Sequence, residues 1–101
     1  FEQGNTLPLK FNNVISHTTK AFRQLLLDLP KVRKKQAQTA YRQFQEDPYH
    51  PSLNFKRVHS KRPMYSVRIS KNYRAVGILS ENKIVWFWIG KHSEYEKMLK
   101  Q

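Results

Sequence analysis

The spacing of apolar residues changes at a proline-rich segment in the middle of the chain, Asp47–Pro51. Before this segment apolar residues recur every three or four positions, which is the spacing of a helix face. After it they alternate, which is the spacing of a strand. Two prolines within five residues prevent a helix from continuing through the segment. The sequence therefore predicts a helical first half and a β-sheet second half, which is an α+β domain.

Two helices are predicted before the proline-rich segment. The first begins near Ser16, with Ser16 or Thr18 as its N-cap, and ends at Pro30; the second runs from about Lys31 to Glu46. Because Pro30 leaves no room for a long loop, the two helices should form an antiparallel hairpin. The apolar residues expected to face the core are Ala21, Phe22, Leu25, Leu26 and Leu29, followed by Val32, Ala37, Ala40, Tyr41 and Phe44.

The second half contains strand patterns and a short terminal helix. The strand candidates are Phe55–His59, Met64–Ser70, Tyr73–Leu79 and Lys83–Ile89, the last ended by Gly90, and the helix candidate is Ser93–Leu99. Ile84–Ile89 is apolar on both faces, which predicts a central strand covered by the helices. Leu7–Phe11 or Asn12–Ile15 is expected to add a strand before the helices. The expected order is β-α-α-β-β-β plus a short C-terminal helix, with an antiparallel sheet.

The chain carries 19 Lys and Arg against seven Asp and Glu, a formal net charge of +12. The excess lies in residues 55–101, where eleven basic residues face three acidic ones and several aromatic residues are interleaved. Cations mixed with aromatic rings are typical of surfaces that grip phosphates and stack bases. A solvated basic face or a site for an acidic protein also fits this pattern. So large a charge on so short a chain favours nucleic acid.

Length and composition exclude several classes of protein. A chain of 101 residues fits one domain, 1–101, in which residues 1–14 are either an edge strand or partly vector-derived. No cysteine is present, which excludes disulfide scaffolds, thiolate zinc sites and cysteine nucleophiles. The longest apolar run, Ile84–Ile89, is far shorter than the roughly 18 residues of a membrane span. We therefore expect a cytoplasmic protein with no membrane partner.

The familiar sequence signatures of phosphate loops, dinucleotide sites, zinc proteases and serine hydrolases do not occur, and the four histidines lack ligand-like spacing. A reaction without metal or small-molecule cofactor is still open to cations, histidine and tyrosine, because the 2′-hydroxyl of RNA can attack its own phosphate. The candidates are Arg68, Arg74, His92 and Tyr95, which the strand pattern places at one end of the sheet. Each also has a structural interpretation: a solvated or ion-paired Arg68, an Arg74 that needs an anion or a hydrogen-bond partner, a His92 cap and a Tyr95 that anchors the last helix.

Several of these segments together resemble the RelE/ParE toxin superfamily of type II toxin–antitoxin systems, with the RelE/HigB-like branch favoured. The resemblance extends over about residues 15–99. It is carried by Tyr65–Ile69, Asn72–Val76, Ile84–Gly90 and Gly90–Tyr95, and upstream by Leu29-Pro30 and Asp47–Leu53. The closing stretch is similar to the G-T-H-x-x-Y-D pattern of HigB-like members. The family's fold agrees with the predicted order of elements.

The resemblance implies a toxin that cleaves mRNA in the ribosomal decoding site without metal. ParE-like members share the fold but inhibit DNA gyrase, and an inactive basic RNA- or partner-binding relative is a third possibility. Carried over by position, Arg74 matches the arginine that contacts the scissile phosphate and Arg68 a basic residue on the preceding strand. His92 matches the catalytic arginine or histidine, and Tyr95 the C-terminal tyrosine. Ser66 departs from the family, since RelE has a lysine at that position.

The resemblance also implies partners. An acidic cognate antitoxin is expected, together with the ribosome and its mRNA, or gyrase in the alternative reading. The residues assigned to nucleic-acid binding are Lys56, Arg57, Lys61, Arg62, Lys71 and Lys91.

Overall fold

A computed structural model describes residues 14–100, and its element order is that of an α+β domain. The elements are β1 Ile15–Thr18, α1 Lys20–Leu27, α2 Lys31–Glu46, β2 Lys56–Arg57, β3 Met64–Ser70, β4 Tyr73–Ser80, β5 Lys83–Lys91 and α3 His92–Leu99, with one 3₁₀ turn at Pro51–Leu53. The change from helix to strand after the proline-rich segment is therefore confirmed. The strand predicted at Leu7–Phe11 lies outside the described residues, as do the first two residues of Asn12–Ile15.

The strands form one five-stranded sheet in the order β1-β5-β4-β3-β2. Within β2 to β5 the paired strands run antiparallel, as predicted. β1 pairs in parallel with β5, so the sheet is mixed, and the predicted antiparallel arrangement does not extend to β1. Two helices and three strands separate β1 from β5 in sequence, which leaves the long connection that parallel pairing requires. β5 is an interior strand, but the middle of the sheet is β4.

The start of α1 differs from the prediction because the edge strand takes the residues expected to cap the helix. Ser16 and Thr18 belong to β1, and Thr19 is the N-cap, with its Oγ1 accepting from the N–H of Phe22 at 3.0 Å. The Thr19 N–H donates to the carbonyl of Trp86 at 3.0 Å. Pairing with β5 therefore fixes where α1 begins. The helix ends at Leu27, three residues before Pro30.

The two faces of the sheet carry different helices. Successive strand residues point to opposite faces, so Ala75 and Val76 lie on opposite sides of β4. On the Ala75 side the core packs against α1 and α2, and its buried members are Phe22, Ala40, Phe44, Leu53, Val67, Ala75, Ile84, Trp86 and Ile89. On the Val76 side the core packs against α3, and its buried members are Met64, Val76 and Tyr95. We call this second side the α3 face.

The helices bury fewer residues than their apolar stripes suggested. In α2 only Ala40 and Phe44 are buried, and Phe44 packs edge-on against Trp86 with ring centroids 5.4 Å apart. Val32 and Tyr41 were expected in the core but are exposed, as is Ala21 of α1. None of the helices within residues 14–100 is long and apolar enough to cross a membrane.

Candidate active site

Two arginines stand side by side where β3 and β4 are joined by a tight turn. Arg68 on β3 lies directly opposite Arg74 on β4, and Arg74 lies opposite Gly90 on β5. Residues directly opposite in an antiparallel pair share a face, with Cβ atoms about 4.5–5.5 Å apart. Arg68 is exposed and Arg74 half-buried. Ser66, two residues before Arg68 on β3, lies on the same face and is 1% exposed. The surface beside the two arginines is therefore formed by a small, uncharged side chain.

Neither of these guanidinium groups has a protein partner among the described residues. Within residues 14–100 the arginine side chains that form hydrogen bonds are Arg23, Arg33 and Arg57. Arg74 shares its face with Val76 and Ile78, so its stem lies on apolar surface while its charged end has no partner in the part of the chain that the structure describes. A half-buried guanidinium without a carboxylate is free to bind an external anion, which is the alternative expected for Arg74.

His92 is held at the same end of the sheet by the β3–β4 turn. It is the first residue of α3, and its N–H donates to the carbonyl of Asn72 at 2.6 Å. Asn72 precedes Tyr73 and Arg74, so this bond joins the start of α3 to the start of β4. The imidazole itself is exposed. The structure therefore places an accessible imidazole next to the strand end that carries the arginines.

The ring of Tyr95 packs against the imidazole of His92. Its ring stacks on that of His92 with centroids 5.5 Å apart and planes 20° apart, and it packs against Trp88 at 6.4 Å. Tyr95 is only 8% exposed. So buried a ring fits an anchor for α3 better than a platform on which a base stacks. Its direct contribution to the site is the orientation of His92.

Gly90 makes room for the indole that Tyr95 contacts. The sequence predicted that Gly90 ends the last strand, but β5 continues through it to Lys91. A Cβ at Gly90 would lie 2.7 Å from Cζ2 of Trp88, closer than carbon atoms pack. The glycine therefore permits the Trp88 ring to lie beside Arg74 on the α3 face, because Trp88 and Gly90 share that face.

One contact that orients β4 has no signature in the sequence. The guanidinium carbon of Arg33, in α2, lies 5.1 Å from the centroid of the Tyr73 ring, which is a cation–π contact. Arg33 also donates from Nη1 to Oε1 of Gln36 at 2.9 Å. Tyr73 is buried and immediately precedes Arg74. The contact thus holds the residue next to the candidate phosphate ligand.

The residues assigned to nucleic-acid binding fall into two groups. Lys71 lies in the β3–β4 turn and Lys91 opposite Tyr73, so both stand at the end of the sheet that carries Arg68 and Arg74. Four others, Lys56, Arg57, Lys61 and Arg62, lie on β2 and in the loop before β3, toward the other end of that strand. His59 shapes this loop, since its Nδ1 accepts from the N–H groups of Lys61 and Arg62 at 3.1 and 3.0 Å.

Within residues 14–100 no group of three His, Cys, Asp or Glu side chains is placed to hold a metal ion. That the reaction uses neither metal nor cofactor stays a prediction.

The arrangement of strands, helices and clustered cations matches a known family of toxins. The family model described as ParE-like toxin domain matches residues 30–97. The chain belongs to this family, within the RelE/ParE superfamily, and the resemblance inferred from its motifs is confirmed. No curated protein matches the chain in sequence.

Solved toxin structures share the fold. The RelB–RelE antitoxin–toxin complex of Methanococcus jannaschii aligns with a TM-score of 0.63 at 15% identity, covering 81% of this chain and 96% of that one. The RelE–RelB complex of Pyrococcus horikoshii gives 0.62 at 13% identity, covering 78% and 94%. YafQ of E. coli gives 0.57 at 8% identity, covering 81% and 97%. At these identities the likeness establishes the fold alone.

Proposed function

We propose that this protein is the toxin of a toxin–antitoxin module and that it cleaves mRNA on the ribosome, in the cytoplasm. The observation that carries this proposal is the pair of guanidinium groups of Arg68 and Arg74, which have no protein partner within residues 14–100. They lie at the strand end where the Asn72 carbonyl holds the backbone N–H of His92, whose imidazole is exposed. Cations and a proton-transfer group at one phosphate are what cleavage by the RNA's own 2′-hydroxyl requires.

The reaction needs two proton transfers and no outside reagent. The 2′-hydroxyl loses its proton and attacks the adjacent phosphorus, and the bond to the 5′-oxygen breaks as that oxygen takes up a proton. The products are a 2′,3′-cyclic phosphate and a 5′-hydroxyl. Arg68 and Arg74 would stabilise the charge on the phosphorane, and His92 would accept or donate one of the protons. Much of the acceleration would come from aligning the 2′-oxygen with its phosphate.

The family match supports a second function. ParE-like members of the superfamily inhibit DNA gyrase without catalysis, and the matching family model is that of the ParE-like toxin domain. In this hypothesis the basic residues around Arg68 and Arg74 contact the gyrase complex, and His92 and Tyr95 serve only to hold α3 against the sheet. An inactive relative that binds RNA or a partner through its basic surface is the third reading.

An acidic antitoxin is the partner that best fits the surface. The chain has a net charge of +12, and complementary charge guides such partners together. The structures from Methanococcus jannaschii and Pyrococcus horikoshii are complexes of a RelE toxin with its RelB antitoxin. We therefore expect a neighbouring gene for a small acidic protein whose product neutralises this one.

Pulse labelling after induction in growing cells distinguishes the three functions. Early loss of protein synthesis supports mRNA cleavage, early loss of DNA synthesis supports gyrase inhibition, and no arrest supports the inactive relative. For a nuclease, Arg74→Ala and His92→Ala should each abolish arrest while the far-UV circular dichroism spectrum stays unchanged. Arg42→Ala, which removes an exposed cation from α2, is the matched control and should arrest growth like the parent. Full arrest by both site variants would remove these two residues from the mechanism.

A further inference from the structure

A second basic site adjoins Arg68 and Arg74 and lies at the edge of β3, next to α2. A cleft of about 640 Å³ separates α2 from the end of β3 and the β3–β4 turn. Its polar walls include Lys35, Gln36 and Gln43 from α2, and Arg68, Ser70 and Lys71 from β3 and the turn. β2 pairs with β3 only at Tyr65 and Ser66, so no strand covers the edge of β3 along this cleft within the described residues.

The lining groups of the cleft are set up to donate hydrogen bonds. Lys35, Arg68 and Lys71 are cations, and no Asp or Glu lines the cleft. Oε1 of Gln36 accepts from Arg33, which can only donate, so the free end of that amide is its NH₂ group.

A second glutamine, Gln43, also lines the cleft, and its side-chain amide bonds to the hydroxyl of Ser52 at 2.9 Å. Three cations and the amide donor of Gln36 without a carboxylate suit a multiply oxygenated anion.

From these observations we propose that the cleft binds a phosphate of the RNA strand, next to the phosphate held between Arg68 and Arg74. Arg68 belongs to both places, since it lies opposite Arg74 on the sheet and also lines the cleft. An RNA strand bound at Arg68 and Arg74 would thus continue around the edge of β3 toward α2. The inference rests on the proposed function only in that the protein binds RNA.

A peptide fits the cleft less well than a phosphate. Helical or extended peptides bind through apolar anchors, and the apolar lining here consists of Val32, Ala40 and Ile69, of which Ala40 is buried. Three cations and no carboxylate along the cleft favour the regularly charged backbone of a nucleic acid.

The test measures binding of a 2′-O-methyl oligouridine of about 12 nucleotides, which cannot be cleaved, as a function of salt. The cleft variant is Lys35→Gln with Lys71→Gln. The control is Lys31→Gln with Arg42→Gln, which removes the same charge from exposed positions of α2 outside the cleft. All four side chains are exposed, so both variants should keep the parent's melting temperature.

The slope of log affinity against log salt is negative. Loss of one bound phosphate should reduce the magnitude of this slope by about 0.7 and weaken binding by about tenfold. We expect this in the cleft variant and a change below about threefold in the control. Equal losses in both variants would overturn the cleft as a site. So would cleft-dependent binding of poly-glutamate without binding of the RNA. Cleavage of ribosome-bound mRNA by the parent is scored separately, so either proposal can fail while the other stands.

Discussion

Replacing Arg68 with Gln should make the protein more stable and less active at the same time. Arg68 and Arg74 are directly opposite each other on β3 and β4, and neither has a carboxylate partner within residues 14–100. Like charges directly opposite on a sheet destabilise it, by an amount within the roughly 0.2–1 kcal/mol range of cross-strand pairs. Because Arg68 is exposed, solvent screens the repulsion, and we expect the lower part of that range, about 0.2–0.5 kcal/mol.

For a domain of this size the gain corresponds to a rise in melting temperature of about 1–4 °C in low-salt buffer. At about 1 M salt the Debye length falls to about 3 Å, so most of the gain should disappear. Cleavage of ribosome-bound mRNA should fall by about 10²-fold, as when one donor is removed from a site that stabilises developing charge. Melting is followed by circular dichroism, and cleavage by primer extension on the message.

The control is Arg42→Gln, which removes one exposed positive charge from α2 without relieving a neighbouring arginine. It should change the melting temperature less than Arg68→Gln does, and leave cleavage unchanged. The result that would refute this idea is an Arg68→Gln variant with a lower melting temperature than the parent, or with a gain in melting temperature that persists in high salt. Either would show that the two guanidinium groups do not repel each other when no anion is bound.

Three further changes test the framework around the site. Thr19→Ala should lower the free energy of unfolding by about 1 kcal/mol and Thr19→Ser should restore it, because the hydroxyl caps α1; equal melting curves would contradict this role. Gly90→Ala should shift the indole N–H resonance of Trp88 and cost about 1–3 kcal/mol, since the new methyl group meets that ring; an unmoved resonance would count against the contact. Arg33→Gln should cost about 0.5–1 kcal/mol and lose its effect in a Tyr73→Leu background; strictly additive costs would argue against the cation–π contact.

The sequence predicted those elements whose ends are set by nearby residues. The bounds of α2, Lys31–Glu46, and of β3, Met64–Ser70, agree with the structure residue for residue. Pro30 and the prolines after Glu46 stop a helix locally, and strict alternation marks β3 without reference to any other strand. The order of the elements followed from the same patterns, and the fold of the toxin family agrees with it.

The predictions from sequence were wrong or missing where a feature depends on a residue far away in the chain. The cap of α1 was placed at Ser16 or Thr18 because both residue types cap helices, yet β1 pairs with β5 and moves the cap to Thr19. The direction of β1 likewise depends on the path of the whole chain. The contact of Arg33 with Tyr73 joins residues forty positions apart, and local periodicity carries no trace of it.

The candidate site shows the same division. Arg68, Arg74 and His92 could be placed at one end of the sheet because strand period and turn positions determine where they fall. The burial of Tyr95 and the cleft beside Lys35 arise from the packing of α3 and α2 on the sheet, which no local pattern encodes.

The most direct test of the central claim is to incubate the purified protein with ribosomes stalled on a defined message and to identify the chemistry of the cut ends. A 2′,3′-cyclic phosphate upstream and a 5′-hydroxyl downstream, formed by the parent and lost in Arg74→Ala, is the expected result. Intact message, or cut ends that carry a 5′-phosphate, would contradict cleavage by the RNA's own hydroxyl at the arginine pair.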